Sequence, residues 1–346
     1  MGGHAPSTRA GARMNVGGFS IQTVAVDSID CLRQPISDAD VEIVQLGRGQ
    51  LKGSLTKAVF EDLAFSRTDF SLPLRTSGLL GSENLTICML LGSASRSTSW
   101  GHELAAGDIF FSAPGKNFDA VFGERSNVAG ISITPHQIAS MFATDPMLSD
   151  VGFWMQNHQY ACPPEQRAAL VARVMQIATW LDQGPMLSST GVDFWRRCLV
   201  EAFTSTYAHS LPPDVGATVP SALRLVREVE RYLDTNAHRA VHISEICTTF
   251  GVSRRTLHRA FHDVLGVGPI TFLRHHRLCS VHQKLRQGLP GQVHVTDVAT
   301  EFGFLELGRF AHYYLSLFGE YPSQTLYRSG RAPSEAVERN VRDRPA

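Results

Sequence analysis

The spacing of apolar positions changes partway along the chain. From about residue 20 to 135, short apolar runs alternate with Gly, Ser, Asn and Asp, as in DVEIVQL, KAVFEDLAFSR, NLTICMLLG, GDIFFSAPG and NVAGISITP. Runs of this length between turn residues predict strands, at spacings that suit a barrel or a sandwich. After Pro135 the period lengthens. HQIASMFATDP predicts one or two helical turns. Pro163 to Gly184 predicts a longer helix, with proline at its start, glycine just past its end, and Leu170, Val174, Ile177 and Leu181 on one face. Gly191 to His209 predicts another, with Phe194, Cys198, Phe203 and Tyr207 among its apolar positions. The two predict an antiparallel pair that either caps the strand-rich part or forms a dimer interface.

His209 to Ala222 is rich in Pro, Gly and small residues and predicts a linker. From there to about Gly319 the chain predicts helices with short turns. These shifts divide it into a flexible lead (1–18), a first domain (19–210) that is β-rich to about 135, a linker (211–222), a helical domain (223–329) and a disordered polar tail (330–346).

The helical domain contains a repeat. ISEICTTFGVSRRTLHRAF, from Ile243 to Phe261, returns about fifty residues later as VTDVATEFGFLELGRFAHYY, from Val295 to Tyr314. Ile243, Ile246, Cys247 and Phe250 stand at i, i+3, i+4 and i+7, and Val295, Val298, Ala299 and Phe302 do the same. Gly251 or Gly303 follows at once, as at a helix end in the left-handed region. A second stripe comes next: Leu257, Phe261, Val264 and Leu265 in copy one, Phe310, Tyr314, Leu317 and Phe318 in copy two. Both copies close on Gly-x-x-Pro. The offset is 52 residues before the turn and 53 after it, so the second turn holds one extra residue. Two short helices around a glycine-containing turn make a helix-turn-helix.

Ile270 to Gly288, between the copies, predicts one connecting helix of roughly 27 Å. With the width of each unit added, the two second helices would lie about 34 Å apart, one turn of B-DNA. Arg255, His258 and Arg259 project from the N-terminal half of the first of them, opposite Leu257 and Phe261. Ser253 is a natural N-cap whose neighbouring amides can meet a phosphate, and Arg254 adjoins it. The matching positions of copy two are Gly308, Arg309, Ala311 and His312, with Arg309 the only fixed cation. On the connecting helix Arg274, His275, Arg277, Lys284 and Arg286 are candidates for phosphate contacts, some of them plain surface.

Charge sharpens this picture. The chain has 32 Lys+Arg and 32 Asp+Glu, yet residues 221–329 carry 13 basic against 9 acidic residues, leaving 19 against 23 elsewhere. Nine of the 14 histidines also lie there, so mild acidification is expected to make that third more positive. No apolar run approaches the roughly 18 residues of a membrane span. The first residues have no apolar segment of a secretory signal, and Met14 is an alternative start. The six cysteines form no C-x-x-C pair and are expected to be free thiols in a reducing cytoplasm.

From about Val226 to Arg328 the chain resembles the DNA-binding domain of the AraC/XylS family of bacterial transcription regulators. ISEICTTFGVSRRTLHRAFHDVLGVGPITFLRHHRL and VTDVATEFGFLELGRFAHYYLSLFGEYPSQTL carry the resemblance. It implies a DNA-binding regulator, more often an activator, that meets duplex DNA and RNA polymerase. The family's base-contacting positions fall on Arg255, His258 and Arg259 in copy one, and on Arg309 and His312 in copy two. Where the family often has a polar Ser/Gln-rich turn in copy two, this chain has FLELGRF. The resemblance also implies an α+β protein, with an N-terminal cupin-like barrel and helical pair that sense a ligand or dimerise.

Phe60, Phe65, Phe70, Trp100, Phe110 and Phe118 are candidates to line an effector pocket in such a barrel, or else are core. A metal-dependent cupin needs two histidines two apart and a nearby glutamate. Here WGHELAAGD places His102 and Glu103 on opposite sides of a strand, and His136 stands alone. No catalytic or cofactor fingerprint is present, so no metal, cofactor or catalytic residue is expected. The rival readings are a cupin-type small-molecule-binding protein or enzyme with a helical interaction domain, and a nonspecific architectural DNA binder.

Overall fold

The structure, a computed structural model, describes residues 14–16, 19–33, 40–183, 188–204, 219–236, 239 and 241–329. Its strands are β1 (Met14–Val16), β2 (Phe19–Val26), β3 (Asp40–Gln45), β4 (Gly53–Phe60), β5 (Leu63–Phe70), β6 (Leu74–Leu79), β7 (Leu85–Gly92), β8 (Ser97–Ser99), β9 (His102–Leu104), β10 (Ile109–Ser112), β11 (Asn117–Phe122), β12 (Ser126–Ile133) and β13 (His158–Tyr160). They form two antiparallel sheets, in the orders β1-β2-β4-β5-β12-β7-β10-β13 and β3-β6-β11-β8-β9. The expected strand runs all appear, and KAVFEDLAFSR becomes the β4–β5 hairpin, with Phe60 opposite Leu63.

The first sheet is covered on both faces, which explains its near-continuous apolar runs. In β7, Leu85, Ile87, Met89 and Leu91 point outward, toward helices α3 (Pro164–Asp182) and α4 (Ser189–Thr204). Leu90 points inward, toward the second sheet. Ile109 and Phe111 likewise face outward and Phe110 inward. Between the sheets lies a cavity of about 370 Å³, with Ile43, Phe70, Leu74 and Phe122 in its wall.

Pro135 opens helix α2 (Pro135–Met141), where Thr134 and Gln137 form a capping box that ends the last long strand. The rings of Trp180 and Trp195 stack 3.9 Å apart, and Arg173 meets Glu201 at 3.6 Å, so α3 and α4 run antiparallel. They cap the barrel through Arg196–Asp62 at 2.8 Å and Arg67–Asp182 at 3.0 Å. On α4 the buried residues include Val192, Leu199, Val200 and Phe203, while Phe194 is 58% exposed and Cys198 only half-buried. The sheet selected a face slightly rotated from the one that apolar spacing alone suggested. Tyr207 lies outside the described residues.

Three further elements depart from expectation. The supposed lead contributes β1, paired with β2 through Met14 opposite Ile21. Helix α1 (Ile29–Arg33) and strand β13 are too short for periodicity to register.

The second sheet is covered by the helical domain. That domain comprises α5 (Ser221–Thr235), α6 (Ile243–Thr249), α7 (Arg254–Leu265), α8 (Pro269–Gln287), α9 (Val295–Glu301), α10 (Leu307–Phe318) and α11 (Pro322–Ser329), the last not anticipated. Val226, Val229 and Leu233 of α5 and Phe272 and Val281 of α8 share one buried cluster with Val44 and Val121 of the sheet. The order through the molecule is helical pair, first sheet, barrel core, second sheet, helical domain. All six cysteines are free. Among the described residues no helix is long and apolar enough to cross a membrane.

Candidate nucleic-acid interface

The two copies fold into matched units. Helices α6 and α7 make the first, α9 and α10 the second, and α8 connects them over 19 residues, about 28 Å. Their turns share a hydrogen-bond pattern: Val252 N–H donates to Cys247 O at 3.0 Å, and Phe304 N–H to Ala299 O at 2.9 Å. Gly251 and Gly303 take φ of 61° and 78°, where a side chain would strain the backbone. Both second helices end on left-handed glycines, Gly266 and Gly319, each at φ 70°.

The first unit presents a cationic surface. Leu257 and Phe261 are buried, so Arg255, His258, Arg259 and His262 line an open groove of about 400 Å³. Asp263 stands 3.6 Å from Arg259, an exposed pair that water screens. Ser253 caps α7 by accepting from Thr256 N–H at 3.0 Å, and Arg254 donates to Ser244 Oγ at 2.7 Å. Replacing Ser253 with Ala is expected to cost about 1 kcal/mol of stability. Glu306, the matching residue of α10, makes no side-chain cap bond, so Glu306→Ala should leave the melting temperature nearly unchanged.

The second unit is poorer in charge. Arg309 donates to Glu306 at 3.1 Å, and His312 is exposed. Gly308 has open space where a side chain would stand.

The connecting helix differs most from expectation. Packed between the second sheet and both units, it buries His275 and His276 together with its apolar residues. Arg274 lies over the Tyr313 ring at 4.1 Å and Arg277 over Phe304 at 5.0 Å. Burial, and then Arg274, lower the pKa of Arg277. Lys284 pairs with Glu301, and Arg286 stands 4.0 Å from Asp27. The helix is therefore a strut whose cations already have partners. His275, named with them as a phosphate candidate, instead faces the barrel, its Nδ1 3.1 Å from Gln45 O.

The strut and α5 are tied to the barrel by buried ions. Arg75 of β6 is fully buried and donates to Asp119 of β11 at 2.7 and 2.6 Å. It also donates to Glu230 of α5, twice at 2.8 Å, and to Ala120 O at 3.4 Å. Arg227 stands 3.6 Å from Asp119, which balances the charge. Burial raises the pKa of Glu230 although Arg75 opposes it.

His276 Nε2 lies 2.7 Å from Glu42 and 3.3 Å from Asp234. Among the described residues this is the one cluster whose ligand atoms lie close enough, within 4.8 Å, to share a metal ion. Burial alone disfavours charge on His276, but Glu42 and Asp234 together push its pKa up to about 10. Protonated, His276 forms an ion pair with the two carboxylates across the domain junction.

The six aromatic candidates for an effector pocket separate. Phe65, Phe70 and Phe118 reach the wall of the inter-sheet cavity. Phe60, Trp100 and Phe110 do not. Phe60 points outward against Phe19, with ring centroids 4.8 Å apart, because strand alternation turns it to the face under the helical pair. Trp100 and Phe110 are fully buried around Phe118, as core. On β9, Glu103 is exposed and 3.7 Å from Arg96, while His102 is half-buried.

Residues 246–328 match a family described as a helix-turn-helix domain. The chain is 34% identical over 98 residues to the XylDLEGF operon transcriptional activator 2 of Pseudomonas putida, covering 28% of this chain and 62% of that protein. It is 30% identical over 129 residues to a probable thc operon regulatory protein of Rhodococcus erythropolis, covering 37% of this chain and 39% of the relative. A solved structure of a probable AraC family transcriptional regulator from Rhodopseudomonas palustris is 37% identical, covers 31% of this chain and 97% of its own, and has a TM-score of 0.29. The chain thus spans less than two thirds of the length of these two curated relatives. Its matched segment contains both second helices and the strut between them, and that segment is a helix-turn-helix domain of the kind found in AraC/XylS-family transcription regulators.

Proposed function

We propose that this protein is a cytoplasmic, sequence-specific DNA-binding regulator of transcription, acting as an activator toward RNA polymerase. Residues 223–329 bind an asymmetric site, with α7 and α10 in successive major grooves. Residues 19–210 sense a small molecule or dimerise, and 211–222 link the two. The observation that carries this reading is the pair of units with one turn geometry, held at a fixed spacing by a buried strut. The inter-sheet cavity is the candidate effector site, with Phe70 in its wall. Exposed Phe194, beside the Trp180–Trp195 stack, is the candidate centre of a homodimer contact.

Arg255, His258 and Arg259 read bases in the first element, and Arg309 and His312 contribute in the second. Ser253 and Arg254 meet phosphate. Arg274, Arg277 and Lys284 act mainly by holding the strut in place. The test is selection of binding sites from a random duplex pool at fixed, near-physiological salt. Two short elements about 10 base pairs apart are expected. Binding that depends steeply on salt with no sequence preference would instead mark an architectural protein. Arg259→Ala is expected to cost about 1–3 kcal/mol and to relax preference at one base position of the first element. An unchanged affinity and an unchanged preference would remove Arg259 from the reading set.

A further inference from the structure

The second unit carries an apolar tip where the first carries arginines. The turns of the two units match through Val252 and Phe304. The next residue of copy two, Leu305, is the inserted one, and it is 82% exposed. Phe304 beneath it is buried against Phe310, with ring centroids 5.1 Å apart, so Leu305 is turned outward. Leu307, the first residue of α10, is 42% exposed and occupies the place that Arg254 holds on α7. Gly308 stands where α7 has Arg255, and leaves open space for a close approach. Arg309 and Glu306 are paired, so the acid at this tip is offset by a cation beside it.

Two leucines held in water at the reading end of a helix call for an apolar partner. The major groove offers one such group on its base edges, the C5-methyl of thymine. We propose that the second unit selects its half of the site through thymine methyl groups packed against Leu305 and Leu307, rather than through arginine contacts to guanine. This inference rests on the reading of α10 as a major-groove helix. It gives a unit with a single fixed cation at its tip a means of distinguishing sequences. The methyl is an apolar group, and its burial against leucine stabilises only complexes that contain it.

The experiment uses the full chain and the site selected from the random pool. Each thymine of the second element is replaced in turn by deoxyuridine, which removes only the methyl group. Wild-type protein should bind about fourfold more weakly at one or two of these positions, the effect of roughly one buried methyl. The Leu305→Ala/Leu307→Ala variant should bind the thymine site more weakly than wild type and be indifferent to the replacement. Its melting temperature and its preference in the first element should match wild type, because both leucines are exposed. The proposal is overturned if the second element consists only of G·C pairs. It is equally overturned if deoxyuridine leaves wild-type affinity unchanged, or weakens wild type and variant alike. In all three outcomes the first element survives, whereas failure of the helix-turn-helix reading would remove both elements together.

Discussion

Arg75→Met is expected to destabilise the protein by about 3–5 kcal/mol, read as a drop in the urea midpoint and in the melting temperature. Every N–H of the Arg75 guanidinium is in use, on Asp119, Glu230 and the Ala120 carbonyl. Removing it leaves two carboxylates facing each other in a buried site with only the more distant Arg227 nearby. The cost is that of stranding buried charge, not the net worth of the triad. Replacing all three by apolar residues, Arg75→Met with Asp119→Leu and Glu230→Leu, should therefore recover most of the loss. A single variant costing under about 1 kcal/mol would mean that water reaches the site and that the triad does not hold α5 to the barrel. Two of the three residues belong to the barrel and one to the helical domain, so the same variant should also loosen the junction. Faster amide hydrogen exchange in α5 is the readout for that.

The second large effect is on pH dependence, where two adjacent histidines pull in opposite directions. His276 is held charged, with its pKa raised to about 10 against the carboxylates of Glu42 and Asp234. Its contribution is complete below the unfolded value, near pH 6.5, and is lost as pH rises toward 10. His275 is held neutral. Burial lowers its pKa to about 4, and Arg274 and Arg48 add to the shift while the Gln45 carbonyl opposes it. Its contribution is complete above pH 6.5 and is lost as pH falls toward 4, because there the unfolded chain binds a proton that the folded chain refuses. Stability should peak near pH 6.5, with each limb on the order of a few kcal/mol. His276→Gln should flatten the alkaline limb and His275→Gln the acid one, in urea titrations at a series of pH values. An alkaline limb that persists in His276→Gln would assign it elsewhere. The same pair drops out of the gain in positive charge expected of the nine histidines of residues 221–329 on mild acidification. His276 is already charged at neutral pH, and His275 stays neutral until well below it.

Much of the molecule was legible because the rules involved are local. The helix-turn-helix units rest on apolar spacing of three and four residues, a left-handed glycine and a Ser N-cap, all within about twenty residues of one another. The inserted turn residue was visible as a change of offset, although only the structure identified it as Leu305 standing in solvent. The strands were legible for the same reason, since their turns are marked by Gly, Asn and Asp. The helical pair was legible in its existence but not in its orientation, because Phe194 and Phe203 are equally apolar and only the sheet decides which is covered.

The connecting helix shows where local rules end. FLRHHRLCSVHQKLR resembles a solvated, phosphate-binding surface, yet three of its histidines are buried. Nothing nearby in sequence marks them, because their partners are remote: Gln45 for His275, Glu42 for His276 and Asp30 for His282. The effector candidates follow the same logic. Aromatic content singled out Phe60, Phe65, Phe70, Trp100, Phe110 and Phe118 alike, and the packing of the strands then left Phe65, Phe70 and Phe118 at the cavity.

By itself the sequence determined that this chain holds a strand-rich part, a helical pair and two spaced helix-turn-helix units with an arginine-bearing first reading helix. Each of these follows from side-chain spacing and turn chemistry over a few residues. Only the tertiary structure decided which polar residues face inward. Arg75 reaches Glu230 across 155 positions of chain, and its burial is tolerable only because that partner arrives. A charge next to apolar neighbours looks the same in sequence whether its counter-ion exists or not.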